Sequence, residues 1–228
     1  MIKAVAFDLD HTLYDRDKTY EKMLDGFMNF FHEELRDDVS REEVLKALQD
    51  SDRQGIYEGW HFEGIYARLL ATGIFKKEPG FDKYYFQYME GAYPPAITEY
   101  DDTMSTLRAL RERGYKLGIL TNGPSDYQRE KLRNTNIMSC IDALVVGGDL
   151  PEEKPARVAF ESIAHLLGCD LEKIAFVGDN PVADMDGARR WGLTPIWMRS
   201  IGIWNPEIQP VEKSIGRLSD LLELLPPL

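Results

Sequence analysis

The sequence predicts an α/β protein: a doubly wound, Rossmann-like parallel sheet core with an inserted all-helical cap domain. Three observations lead there. Short apolar runs without polar alternation recur along the chain, as expected of parallel strands covered on both faces. Helical stretches with recognisable ends separate them, and one long stretch near the start breaks that rhythm with helical spacing alone.

The apolar runs are Lys3 to Phe7, Tyr115 to Leu120, Asp142 to Val146, Lys173 to Val177 and Thr194 to Met198, which makes five candidate strands. After the first of them, residues 15–95 are rich in aromatics, among them Phe27, Phe31, Trp60, Tyr84 and Tyr88, and close on Pro94-Pro95. A stretch of that length is not a loop in a compact domain. It is assigned to the helical cap, residues 15–95, leaving 1–14 and 96–228 as the core, and its aromatics are expected to pack against one another. Beyond the cap, Asp101 or Asp102 can cap a helix that carries Met104, Leu107 and Leu110 on one face and stops at Gly114. Pro155 suits the first turn of a helix bearing Phe160, Ile163 and Leu167 and ending at Gly168, and Pro181 opens another that ends at Trp191-Gly192.

With 228 residues, 43% hydrophobic and 29% charged, the chain has the balance of a globular protein long enough to bury a real core. No run approaches the roughly 20 apolar residues of a membrane span. The start, Met-Ile-Lys-Ala-Val-Ala-Phe-Asp, lacks the features of a secretory signal, so a cytoplasmic location is expected. Cys140 and Cys169 stand alone and far apart, which fits neither a disulfide framework nor a zinc site. A net charge of -12 sets the surface field against nucleic acid and anionic membranes. The expected partner is a small molecule, and the chain a monomer or homodimer. An anionic ligand has to be drawn in locally, by a bound cation and a few placed lysines or arginines.

Candidate chemistry concentrates at strand ends. Phe7-Asp8-Leu9-Asp10-His11-Thr12-Leu13 follows the first strand, where carboxylates at i and i+2 can project in the same direction. Such a pair is costly unless a cation sits between its members, and hard oxygen ligands on an acidic strand end suit magnesium. Leu120-Thr121-Asn122-Gly123 ends the second strand, and Glu153-Lys154-Pro155 precedes a helix. Val177-Gly178-Asp179-Asn180 ends the fourth strand, and Asp184 follows. In a doubly wound sheet such positions converge on one crevice at the carboxyl edge.

These four motifs, in this order and placement, resemble the haloacid dehalogenase superfamily of aspartate-nucleophile hydrolases, and the resemblance covers the whole chain. Many members of that family carry a helical cap between the first motif and the second. The resemblance implies a magnesium-dependent phosphatase working through an aspartyl-phosphate on Asp8. It makes Asp10 the general acid and then the base, and gives magnesium to the Asp8 carboxylate, the Asp10 backbone carbonyl and Asp179. Thr121 would offer its hydroxyl to phosphate, and Asn122 and Gly123 their amides at a helix start. Lys154 would offset the charge of the transferring phosphoryl group, and Asp184 would support the metal site or anchor Lys154. One departure stands at His11, where many family phosphatases carry glycine. That exception bears on subgroup and leaves the chemistry alone.

Trp60, His61 and Arg68 are nominated as cap residues for substrate, offering a stacking face, a titratable group and a cation. The expected substrate is a small phosphorylated metabolite such as a sugar phosphate, a nucleotide or a phosphoglycolate-like acid. A 2-haloacid dehalogenase shares the fold and the nucleophile but needs neither magnesium nor the second aspartate, so Asp10 and Asp179 speak against it. A phosphomutase uses the same core, and a non-catalytic metal-binding regulatory protein is the reading from another class. Other patterns fail: His32-Glu33 has Arg36 where a zinc protease needs its second histidine.

Overall fold

The computed structural model describes residues 1–55 and 62–228. The chain divides into two compact units, one of Met1–Asp15 with Glu99–Leu228 and one of Arg16–Thr98.

The Arg16–Thr98 unit is built of helices: α1 (Arg16–Phe30), α2 (Arg41–Arg53), α3 (Phe62–Ala71), and a π-helical stretch Asp82–Met89 that runs on into α4 (Glu90–Ala96). Its start signals are written locally. Ser40 Oγ accepts the Glu43 N–H at 3.1 Å while Glu43 Oε2 accepts the Ser40 N–H at 2.8 Å, a reciprocal cap that opens α2. Its aromatics are core: Phe27, Phe31, Tyr84 and Tyr88 are buried, with ring centroids 4.6 to 6.4 Å apart. The buried Arg16 guanidinium also donates to both carboxylate oxygens of Asp52, Nε to Oδ2 at 2.8 Å, so the first residue of α1 is tied to the end of α2.

The other unit is a parallel six-stranded sheet, β1 (Ala4–Phe7), β2 (Lys116–Thr121), β3 (Ala143–Val146), β4 (Ile174–Gly178), β5 (Thr194–Met198) and β6 (Ser214–Ile215), in the order β3-β2-β1-β4-β5-β6. Ala4 pairs with Lys116 on one side and Ile174 on the other, so β1 is central. Every residue of β1 and β4 is buried, which is why both read as unbroken apolar runs. The flanking helices are α5 (Thr103–Glu112), α6 (Ser125–Arg133), α7 (Arg157–Leu167), a π-helical turn Pro181–Asp186 leading into α8 (Gly187–Arg190), and α9 (Leu221–Leu224). Phe160, Ile163 and Leu167 of α7 share one core with Ala4, Ala6 and Phe176 of the sheet.

Three local expectations are corrected. A sixth strand exists: β6 is two residues long and pairs with Trp197 and Met198 of β5, too short to carry a pattern of its own. Helix α7 begins at Arg157, so Pro155 lies before its first turn. Asp102 precedes α5 but makes no side-chain cap; its carboxylate accepts the Ser219 N–H at 2.9 Å and Arg217 Nε at 3.2 Å, tying down the C-terminal segment.

Candidate active site

Asp8 and Asp179 are the first residues beyond the carboxyl ends of β1 and β4, neighbouring strands at the point where the strand order reverses. The Asp8 N–H is held by the Val177 carbonyl at 2.8 Å, which sets the two strand ends in register. Carboxylate oxygens of Asp8, Asp179 and Asp184 lie within 4.8 Å of one another, all buried. Against them stands Lys154, whose Nζ donates to Asp8 Oδ1 at 2.6 Å and Asp184 Oδ1 at 2.7 Å.

Three carboxylates facing one ammonium leave negative charge uncompensated. Burial pushes the Asp8 carboxyl up to about 7, against the pull of Lys154 and with help from Asp184 and Asp10. Asp179 is pushed well above its ordinary range, by burial first and by the charges of Asp184 and Asp8 next. Both Asp179 oxygens are buried and receive no hydrogen bond from the described residues. A divalent cation with a preference for oxygen fits this arrangement, because it would satisfy the orphaned oxygens and offset the surplus charge together. Asp184 fits less well as a ligand: Lys154 occupies Oδ1, and the Asn180 N–H donates to Oδ2 at 3.0 Å.

The local sequence explains how Asp184 returns to the strand end. Asn180 Oδ1 accepts the N–H groups of Val182 and Ala183, each at 2.9 Å, and so starts the Pro181–Asp186 turn. That turn presses Asp184 against Gly178, where a Cβ would stand 2.3 Å from Asp184 Oδ2. Only glycine permits the approach.

On the β2 side, Thr121 is buried at the end of its strand. The Asn122 side chain braces the backbone of Lys154 from both sides, Nδ2 to the carbonyl at 2.8 Å and Oδ1 from the N–H at 2.9 Å. Gly123, at φ 106°, gives its N–H to Glu153 Oε2 at 3.0 Å, and α6 begins two residues later at Ser125. The Gly123 amide is thus already committed to a carboxylate.

Asp10 is gripped by residues that the sequence reading did not single out. Lys131 Nζ donates to Oδ1 at 2.7 Å, the Tyr14 hydroxyl also donates to Oδ1, and Gln128 Nε2 donates to Oδ2 at 2.9 Å. The same Gln128 nitrogen reaches Thr121 Oγ1 at 2.5 Å. Gln128 and Lys131 lie three apart on the buried face of α6, together with Tyr127 and Leu132. The available signal was weak: Ser-Asp-Tyr-Gln-Arg-Glu-Lys-Leu-Arg, directly after a strand-end motif, has too few apolar residues to cover an inward face, so polar groups must share it.

Of the cap nominations, Trp60 and His61 lie outside the described residues. Arg68 belongs to α3, where Nε donates to the Ser51 carbonyl at 2.8 Å and so links α3 to α2. His11 is buried with φ 56°, a left-handed conformation that glycine adopts without strain, and its carbonyl accepts the Tyr100 hydroxyl at 3.3 Å.

The family described as haloacid dehalogenase-like hydrolase matches residues 5–198. The chain is 33% identical to a glyceraldehyde 3-phosphate phosphatase of Methanopyrus kandleri over 87% of its own length and 84% of that protein's. It is 27% identical to the enzyme of the same name from Methanothermobacter thermautotrophicus, over 99% and 100%. Among solved structures, the HAD-hydrolase YfnB of Bacillus subtilis, crystallised bound to magnesium, has the same fold with a TM-score of 0.77 at 20% identity over 98% of both chains.

Proposed function

Because this chain belongs to the haloacid dehalogenase-like hydrolase family and is a phosphatase of that family, we propose that it removes phosphate from a small metabolite, with magnesium, through an aspartyl-phosphate on Asp8. One observation carries the reading: buried Asp8 and Asp179 flank each other at adjoining strand ends, with Lys154 on Asp8 and no described donor on Asp179.

Asp8 attacks phosphorus in line, forming a new P–O bond as the bond to the leaving oxygen breaks. Asp10 gives its proton to that oxygen, then takes one from the water that attacks phosphorus in the intermediate, and inorganic phosphate departs with Asp8 restored. Lys154 favours the ionised, nucleophilic form of Asp8 against the burial that opposes it, and meets the phosphoryl oxygens with fixed positive charge. Asp184 holds the Lys154 ammonium in place, and the Thr121 hydroxyl serves phosphate binding. Magnesium, held by Asp8, Asp179 and the Asp10 carbonyl, would supply the remaining positive charge. The helical unit takes the role of the cap that selects the substrate. Glyceraldehyde 3-phosphate is the first metabolite to offer, on the strength of the two archaeal relatives.

The test is phosphate release from p-nitrophenyl phosphate and from glyceraldehyde 3-phosphate, with magnesium, with EDTA, and with Asp8→Asn beside the wild type. Release that requires magnesium and disappears in the variant is expected. A folded wild type releasing nothing, or an Asp8→Asn variant as active as the wild type, would sink the proposal.

A further inference from the structure

We propose that Gln128 and Lys131 are positioning residues for proton transfer, aiming the Asp10 carboxyl at the leaving oxygen. The inference rests on the phosphatase reading and adds to it a part of the machinery contributed by α6.

Asp10 follows β1 by three residues and is partly exposed, so the strand end alone does not define where its carboxyl points. A proton donor works only within hydrogen-bond reach of the atom it protonates, so a swinging carboxyl wastes most of its orientations. Here, beside the Tyr14 hydroxyl on Oδ1, two further donors that orient it come from α6. Lys131, 4% exposed, holds Oδ1 at 2.7 Å, and its ammonium stands 4.8 Å from the centre of the Tyr127 ring. Gln128, 2% exposed, holds Oδ2 at 2.9 Å.

A buried lysine is a costly way to fill space, and a neutral apolar side chain would pack the same face of α6 at lower cost. Its position on Asp10 needs a reason beyond packing. Gln128 supplies a second argument. An amide nitrogen carries two protons, and here Nε2 lies within reach of Asp10 Oδ2 and Thr121 Oγ1. The hydroxyl assigned to phosphate and the carboxyl assigned to the leaving group are therefore set at a fixed separation by one side chain. In the first step the proton moves from Asp10 to the leaving oxygen as its bond to phosphorus breaks, and Asp10 remains as a carboxylate on the same donors. In the second it recovers a proton from water.

The experiment compares two esters that share a phosphoryl group and differ in how much the departing oxygen needs a proton. Phenoxide, whose conjugate acid has a pKa of about 10, needs one; 2,4-dinitrophenoxide leaves as the anion. The variants are Lys131→Met and Gln128→Ala, each checked for folding by circular dichroism. For phenyl phosphate kcat/KM, which reports the steps up to departure of the leaving group, should fall roughly 10- to 100-fold, a part of the roughly 100- to 10,000-fold that general acid catalysis supplies. For 2,4-dinitrophenyl phosphate the fall in kcat/KM should stay under about threefold, since its leaving group departs without a proton from Asp10.

Equal losses on both esters assign the two residues to packing and overturn the inference, as does an unchanged rate on phenyl phosphate. Should Lys131→Met fail to fold, Gln128→Ala carries the same contrast by itself. A wild type that hydrolyses neither ester counts against the phosphatase reading, and is distinguished from failure of the positioning role by being seen before any variant is made.

Discussion

Lys154 and Asp184 are joined Nζ to Oδ1 at 2.7 Å in a place closed to water, with side chains 2% and 0% exposed. A buried pair of this kind adds little over an apolar pair of the same shape, but removing one member strands the other. Here Lys154 keeps Asp8 as its other partner, so Asp184→Ala is expected to lower stability by about 1.5–3 kcal/mol, the loss of one charge-assisted hydrogen bond, in urea unfolding at neutral pH. Its kcat should fall further than its KM rises, because the ammonium loses the partner that holds it against Asp8. A loss below about 1 kcal/mol would mean that Asp8 alone suffices to hold Lys154.

Asp179 gives the opposite sign. Its oxygens are buried, without a described donor, and face two other carboxylates. In metal-free protein, Asp179→Asn is expected to raise the thermal midpoint by removing that repulsion. Magnesium at about 100 times its Kd should stabilise the wild type by about 2.7 kcal/mol and the variant hardly at all. Thermal scans with magnesium and with EDTA read both effects. A variant that is destabilised without metal, or that retains the magnesium shift, removes Asp179 from the metal site.

At His11 the usual order of alanine and glycine should invert. On ordinary backbone glycine is the less stable by roughly 0.5–1 kcal/mol, through the freedom it loses on folding. With φ at 56°, a Cβ is instead a liability of roughly 1–2 kcal/mol. Both variants lack the imidazole, so the comparison isolates the backbone. His11→Gly should unfold at higher urea than His11→Ala, and the reverse order would contradict the left-handed conformation.

A pH dependence follows from Asp102. Burial alone would raise its pKa, but the Ser219 N–H and the Arg217 guanidinium outweigh burial and hold it below the ordinary 3.8. A depressed carboxylate stabilises the fold above its unfolded pKa and loses that contribution as pH falls through its folded value. Asp102→Asn should therefore be less stable than the wild type near pH 6, by no more than about 1 kcal/mol because Arg217 is largely exposed and water screens the pair, with the gap closing below about pH 4. A gap that stays constant down to pH 3 would assign the effect to shape alone.

The five longer strands and the positions of Asp8, Thr121, Lys154, Asp179 and Asp184 follow from local order in the sequence. A parallel strand buried on both faces needs an unbroken apolar run, and a carboxylate directly after such a run marks where the core ends. Spacing within each helix is equally local in origin, since it sets Phe27 and Phe31 at and just beyond the end of α1 four apart and Tyr84 and Tyr88 four apart in the Asp82–Met89 helix, whereas the meeting of the two pairs is tertiary. Tertiary structure decided the rest. Two residues of β6 carry no period, so only the free edge of β5 makes them a strand. Asp102 resembles a helix cap by position, but its carboxylate was claimed by Ser219, 117 residues away. The grip of Lys131 on Asp10 spans 121 residues, and helix α6 has only Tyr127 and Leu132 to mark an apolar face, so the polar groups that turn inward beside them are chosen by the sheet it packs on. Apolar periodicity encodes burial along one chain segment. Which polar groups meet inside depends on strand order and helix rotation, which are settled only when the whole sheet closes.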